Sequence, residues 1–341
     1  MPRASRLSSL ATALLLHASA AVAQADLVYR HGFEDATELV AALPLGTFVP
    51  GGGVVTNCPA GFQCSAFAVS CSGVTNNANG FLAVRNTTAT FRGVLVFFTG
   101  GSGGSWWTGQ GGDVAAFAEE LRALGFTIAQ VRWGTNWLES SPGNDAGTAH
   151  LGCRPATVIK HLHDTLYAGG SRSETGRCGF CISGNSGGAS QVSYALSHYG
   201  LDTILDAVVP TGGPPHADLA KACLDPASGY ALDTRNFLDR GFGYFAGNGP
   251  CATRDASFTP RWTAESIGTG GSDYDHPPTR VHIVIGDQDV GMQRIAATYI
   301  DRLRATGTPL TYTIAVNTPH GVFSTQAGRA AIEAAILDEM P

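Results

Sequence analysis

The sequence predicts an α/β fold, a mostly parallel sheet with helices on both faces, and three observations carry the prediction. Apolar runs of strand length alternate with helical-period segments from about residue 93 to the C-terminus. Some of these runs, such as Gly93-Val94-Leu95-Val96-Phe97-Phe98, are apolar without alternation, as strands buried on both faces are. One of them, 178–182, leads into Gly184-Asn185-Ser186-Gly187-Gly188 and then into a helix-like segment.

The elements follow in order. Met1-Pro2-Arg3 with Arg6, an apolar stretch over 10–22 and the small residues Ala21-Val22-Ala23 have the layout of a secretory signal peptide over 1–23, cleaved near Ala23. Residues 24–65 read as a cysteine-containing N-terminal segment and 66–341 as the main domain. Strands are expected at 66–74 and 81–84, then the buried strand at 93–98. Asp113 is a candidate cap for a helix with apolar positions Val114, Phe117, Ala118, Leu121 and Leu124, and Gly125 stops it. A strand at 126–132 follows. A second helix begins around Pro155 and runs through Val158, Ile159, Leu162 and Leu166. Beyond the Ser186 turn the alternation gives a helix at 189–199 ending at Gly200 and a strand at 207–209. After an interruption come a strand at 281–285, a helix at 292–304, a strand at 310–316 and a last helix from about Ser324. The interruption, 214–279, is too long for an ordinary connection and rich in glycine, proline and aromatic residues, so it reads as a cap insertion. Ligands of such a sheet gather at the carboxyl ends of its strands.

Composition narrows the function classes. Without Arg3 and Arg6, 19 basic residues face 27 acidic ones, a net of about −8 that argues against nucleic acid as a partner. The N-terminal apolar stretch is shorter than the roughly 20 residues of a membrane-spanning helix, and no later segment reaches that length without charges or glycines, so no stable membrane insertion is expected. Eight cysteines in an exported chain fit four disulfides, which points to a secreted or periplasmic protein. Cys223 and Cys251 bracket part of the insertion as a candidate staple, and at least one local bridge is expected among Cys58, Cys64 and Cys71. Cys178 and Cys181 have C-x-x-C spacing, but inside an expected strand their side chains should stay apart, against a redox or zinc role. The sequence leaves the oligomeric state open.

The chemistry centres on Ser186. A sharp strand-to-helix turn forces its central residue into a strained conformation and excludes bulk two positions away, where Gly184 and Gly188 stand. G-N-S-G-G is one letter from the G-D-S-G-G of chymotrypsin-like proteases, and Thr148-Ala149-His150 faintly matches their histidine motif. That reading fails, because about 35 residues between His150 and Ser186 are too few for most of two β-barrels. Gly286-Asp287-Gln288-Asp289 follows one expected strand, and Asn317-Thr318-Pro319-His320-Gly321 follows the next.

The order serine, acid, histidine, each beyond a strand end, resembles the α/β-hydrolase superfamily over roughly residues 66–341, in the manner of secreted bacterial serine esterases. The resemblance implies Ser186 as nucleophile, His320 as general base and Asp289 as the acid, with Asp287 and Asp218 as alternative acids. It implies an oxyanion hole from the N–H of Gly187 and of Gly101 or Ser102, in a Thr99-Gly100-Gly101-Ser102-Gly103-Gly104 loop that carries threonine where many esterases have histidine. A phosphate loop is the rival reading of those glycines, but no G-K-[ST] follows. Trp106, Trp107, Trp133 and Trp137 lie on loops leaving strand ends, as pocket walls or as packing under the cap. His161 and His163 should point to different helix faces, and His216 with Asp218 is a slightly better metal pair. The expected activity is hydrolysis of a small-molecule or polymeric carboxylic ester without metal or organic cofactor. Amide cleavage, or binding without turnover on the same fold, are the alternatives.

Overall fold

The computed structural model describes residues 41–52, 54–111, 113–167 and 178–337. The expected signal peptide lies outside the described residues. At the centre is a nine-stranded sheet in the order β1-β2-β3-β5-β4-β6-β7-β8-β9. β1 (Thr47–Gly51), β2 (Gln63–Ser70) and β3 (Ala78–Arg85) form an antiparallel flank joined to β5 (Phe126–Trp133). β4 (Gly93–Phe98), β6 (Phe180–Asn185), β7 (Ala207–Thr211), β8 (Arg280–Gly286) and β9 (Leu310–Ala315) continue from β5 in parallel.

Every residue of β4, β6 and β7 is buried, because helices cover both faces. The helices are α1 (Val114–Ala123), α2 (Thr148–Leu151), α3 (Cys153–Leu166), α4 (Gly187–Ser197), α5 (Leu219–Leu224), α6 (Leu232–Asp239), α7 (Pro250–Thr253), α8 (Thr259–Glu265), α9 (Val290–Arg304) and α10 (Gln326–Leu337). Val94, Val96 and Phe98 join one core with residues of α3, α4 and α9, while Leu95 and Phe97 join a second with residues of α1 and α10. The period-2 alternation of a strand thus feeds two cores from one apolar run.

Four expectations need correction. The first strand of the sheet lies inside the segment 24–65, since β1 pairs with β2 over Thr47–Ser70 to Gly51–Ala66. Its mostly exposed side chains and its proline give it no apolar signature. The second strand is Gln63–Ser70 rather than 66–74, and the helix expected from Pro155 starts at Cys153. Cys178 and Cys181 are bonded to each other, because Cys178 precedes β6 and the chain can bend at Gly179. The other bridges are Cys58–Cys64, Cys71–Cys153 and Cys223–Cys251, and all eight cysteines are paired. Four disulfides suit an oxidising compartment. Among the described residues no helix is long and apolar enough to cross a membrane.

Between β7 and β8 the chain carries α5 to α8, none longer than eight residues. Helices this short are marginal alone, so tertiary contacts hold them. Cys223–Cys251 ties α5 to α7, and the Asp239 carboxylate accepts the N–H groups of Cys251 and Ala252 at 2.8 Å each. Glu265 accepts the Ala149 N–H at 2.7 Å and pairs with Arg261 at 3.0 Å, fastening α8 to α2.

Candidate active site

β6 ends at Asn185 and α4 begins at Gly187, so Ser186 alone makes the turn, with φ 56° and ψ −119°. That backbone conformation is strained for a serine and holds its side chain out of both elements. The flanking glycines are steric necessities. A Cβ on Gly184 would lie 2.4 Å from the Gly188 carbonyl carbon, and one on Gly188 would lie 2.5 Å from the Phe98 oxygen. A Cβ on Gly187 would lie 2.6 Å from the Gly101 oxygen, so the start of α4 is pressed against the loop after β4.

That loop turns tightly, with the Gly103 N–H on the Gly100 oxygen at 3.0 Å and Gly101 at φ 56°. Trp137 Nε1 donates to the Gly101 oxygen at 2.9 Å and fixes the peptide plane. Gly101, Gly187, Ser186, Asp289 and His320 all line one cavity of about 640 Å³. Ser102 instead lines a neighbouring groove with Asn136, Asn236 and Arg240. Of the two residues considered for the second N–H donor, Gly101 is therefore the one on the cavity wall.

Asp289 follows β8 and its Oδ2 lies 2.6 Å from His320 Nδ1. The alternatives are engaged elsewhere. Asp287 accepts the N–H groups of Asn317 and Thr318 at 2.9 Å each, which lowers its carboxyl pKa and braces the histidine loop. Asp218 is the N-cap of α5, accepting the Lys221 N–H at 2.9 Å and the Thr298 hydroxyl at 3.0 Å. The Ser186 hydroxyl has no hydrogen-bond partner among the described residues, so the serine–imidazole link is open in this structure. Such links often close only around substrate.

Asn185 was considered only as a departure from a protease motif, and the structure gives it a positioning place. Its Oδ1 accepts the Thr211 hydroxyl at 3.0 Å and the Val322 N–H at 3.2 Å. One buried amide thereby ties the elbow to the end of β7 and to the chain just beyond His320. A polar residue directly before Ser186 was the available signal.

Of the two readings of the tryptophans, the pocket-wall one is corrected. Trp106, Trp107, Trp133 and Trp137 are all buried, and none lines the Ser186 cavity. Trp107 stacks on Phe97 at 3.8 Å between ring centroids, and Trp133 Nε1 donates to Gln191 at 2.7 Å. Trp106 Nε1 donates to the Asn57 oxygen at 2.7 Å. The insertion supplies the walls instead, with Tyr230, Asp233, Phe237 and Leu238. His216 also faces the cavity, apart from the capping role of Asp218, while His161 stacks on Phe48 and His163 meets Asp164.

No protein-family model matches the chain, and no curated protein matches its sequence. Its backbone is similar to several solved structures at low identity. Carboxyl esterase 2 (TmelEST2) from the mycorrhizal fungus Tuber melanosporum is 16% identical, over 92% of this chain and 94% of that one, with a TM-score of 0.49. S-formylglutathione hydrolase from Agrobacterium tumefaciens is 13% identical, over 83% of this chain and 98% of that one, with a TM-score of 0.49. The acylaminoacyl peptidase of Pyrococcus horikoshii is 10% identical over 81% of this chain, with a TM-score of 0.46, and this chain spans 40% of its length. With β4 to β9 parallel in this order, a serine elbow after β6, an aspartate after β8 and a histidine after β9, the fold is that of the α/β-hydrolases.

Proposed function

We propose that the protein is an exported serine hydrolase of carboxylic esters, working through an acyl-enzyme on Ser186. The observation that carries this reading is the 2.6 Å contact of Asp289 with His320 on the same cavity as the strained Ser186 turn. In the mechanism, His320 takes the Ser186 proton as the oxygen attacks the ester carbonyl, then protonates the leaving alcohol. Asp289 keeps Nδ1 protonated, directs Nε2 toward the serine and stabilises the imidazolium. The Gly187 and Gly101 N–H groups bind the developing oxyanion, and water then cleaves the acyl-enzyme by the same steps. The signal-like N-terminus and four disulfides support export.

The test is hydrolysis of p-nitrophenyl esters from acetate to palmitate, beside an aminoacyl anilide, by the purified protein and by Ser186→Ala. Ester turnover that needs Ser186, with fluorophosphonate labelling at that residue, is the expected result. Anilide cleavage alone moves the protein to the amidases. Folded protein that neither labels nor turns over is a binding protein.

A further inference from the structure

We propose that His216 is a specificity-determining residue of the Ser186 cavity, hydrogen-bonding a neutral hydroxyl on the part of the ester that fills it. The inference rests on Ser186 being the nucleophile. His216 leaves β7 on the loop into the insertion and lines the cavity with Ser186 and His320, yet it is only 2% exposed. Its Nδ1 is buried without a hydrogen-bond partner among the described residues. Buried polar groups are nearly always paired, so a buried ring on the cavity wall with an unpaired nitrogen calls for a ligand.

The ring is held ready rather than loose. It stacks with Trp137 at 5.8 Å between centroids and packs against Tyr194 at 5.9 Å. Its backbone N–H donates to Ser190 Oγ at 3.2 Å, one helical turn beyond Ser186, and its carbonyl accepts the Ile267 N–H at 2.9 Å. Trp137 is also the residue that fixes the Gly101 peptide. One indole therefore orients both the polar wall and the loop at the reacting carbonyl, which is the preorganisation that selective binding needs.

The chemistry of the site defines the ligand class. Burial lowers the His216 pKa to about 3, so at neutral pH the ring offers one N–H donor and one lone pair. A hydroxyl can answer either. An anionic substrate meets the Asp233 and Asp289 carboxylates on the same cavity, and a neutral imidazole offers neither sign of charge a counterion. Pro215, Leu238 and Met292 supply hydrocarbon on the walls of the same cavity. The substrate is then an ester with an apolar body and one well-placed hydroxyl, in which loss of that hydroxyl leaves the imidazole unpaired.

The test compares kcat/KM within matched pairs: ethyl butyrate with ethyl 3-hydroxybutyrate, ethyl hexanoate with ethyl 6-hydroxyhexanoate, and propyl butyrate with 2-hydroxyethyl butyrate. Wild-type protein should favour the hydroxylated member of at least one pair by about tenfold or more. His216→Phe should bring that ratio close to one, while His216→Gln, which keeps a neutral donor and acceptor, should retain part of it. A wild type that discriminates in no pair overturns the proposal, and that result needs no variant to fold. So does a preference that survives in His216→Phe, and an equal loss on both members of the pair marks a structural role only. Turnover by Ser186→Ala would instead show that the nucleophile is misassigned.

Discussion

On the sheet side of the Ser186 cavity, backbone is set against backbone; on the insertion side, side chains hold short helices in place. The elbow at Gly184 to Gly188 meets the end of β4 and the loop after it so closely that no Cβ fits at Gly187 or Gly188, and one on Gly184 would collide with Gly188 itself. Asp287 and Asn185 lock the histidine loop through main-chain N–H groups. The opposite wall depends on the Cys223–Cys251 bridge, the Asp239 carboxylate and the Glu265 contacts with Ala149 and Arg261. The first kind of construction tolerates almost no change and would position the reacting atoms of the proposed mechanism. The second can vary in sequence while keeping its frame, which suits a wall that selects substrates.

The sharpest way to break this contrast is on the sheet side. Asp289→Asn should lower kcat by about 10⁴-fold with the fold intact, because the imidazole loses its orienting charge at the 2.6 Å contact. Retained turnover in a folded variant would mean that another carboxylate serves His320. On the insertion side, Cys223→Ser with Cys251→Ser opens a 28-residue separation and should cost roughly 3–4 kcal/mol on the chain-entropy scale. Its signature should be proteolysis within residues 212–279 and an altered chain-length profile, with fluorophosphonate still reaching Ser186. An unchanged melting temperature and profile would show that the helices α5 to α8 do not need the bridge.

The same contrast explains what the sequence made legible. Close backbone approach writes itself into a sequence as glycine at fixed offsets, which is why Ser186, Asp289 and His320 could be named from spacing and order and are found on one cavity. Side-chain packing leaves no such mark. Tryptophans on loops leaving strand ends look alike whether they face a ligand or the core, and Trp133 and Trp137 turned inward to hold Gln191 and Gly101. Asp233 and Phe237 reach the cavity only through the folding of an insertion whose helices are too short to show a clear period. β1 was hidden for a related reason, since an exposed edge strand needs no apolar face.

Acid should act with opposite signs on two buried groups, His198 and Glu265. His198, the C-cap of α4, is fully buried, and burial lowers its pKa from 6.5 to about 3. The unfolded chain therefore binds a proton that the native state refuses, and stability falls as pH drops from 6.5 towards 3. Between pH 6.5 and 5 the loss should be about 2 kcal/mol. Glu265, on the insertion side, has its pKa raised by burial from 4.5 to about 6. The native state takes up that proton first, so Glu265 contributes stability as pH falls from 6 to 4.5 and offsets part of the loss. Denaturant melts across pH 7 to 5 should show a net decline that steepens in Glu265→Gln and flattens in His198→Gln. A decline that neither substitution alters would assign acid sensitivity to other groups.

The smallest expected effect tests the boundary between the walls. Asp218 leads into the insertion and is one of the alternative acids expected from the sequence, yet its oxygens cap α5 and hold Thr298 on α9. Asp218→Ala should cost about 1 kcal/mol, the value of an exposed-to-half-buried N-cap, and leave kcat within a few-fold of wild type. A 10⁴-fold loss in this variant, matching the loss expected for Asp289→Asn, would move the acid to the start of the insertion and make that segment part of the reacting machinery. A small shift in melting temperature with full turnover keeps the acid on the loop after β8. The insertion then acts on the reaction only through the shape and hydrogen bonding of the cavity wall.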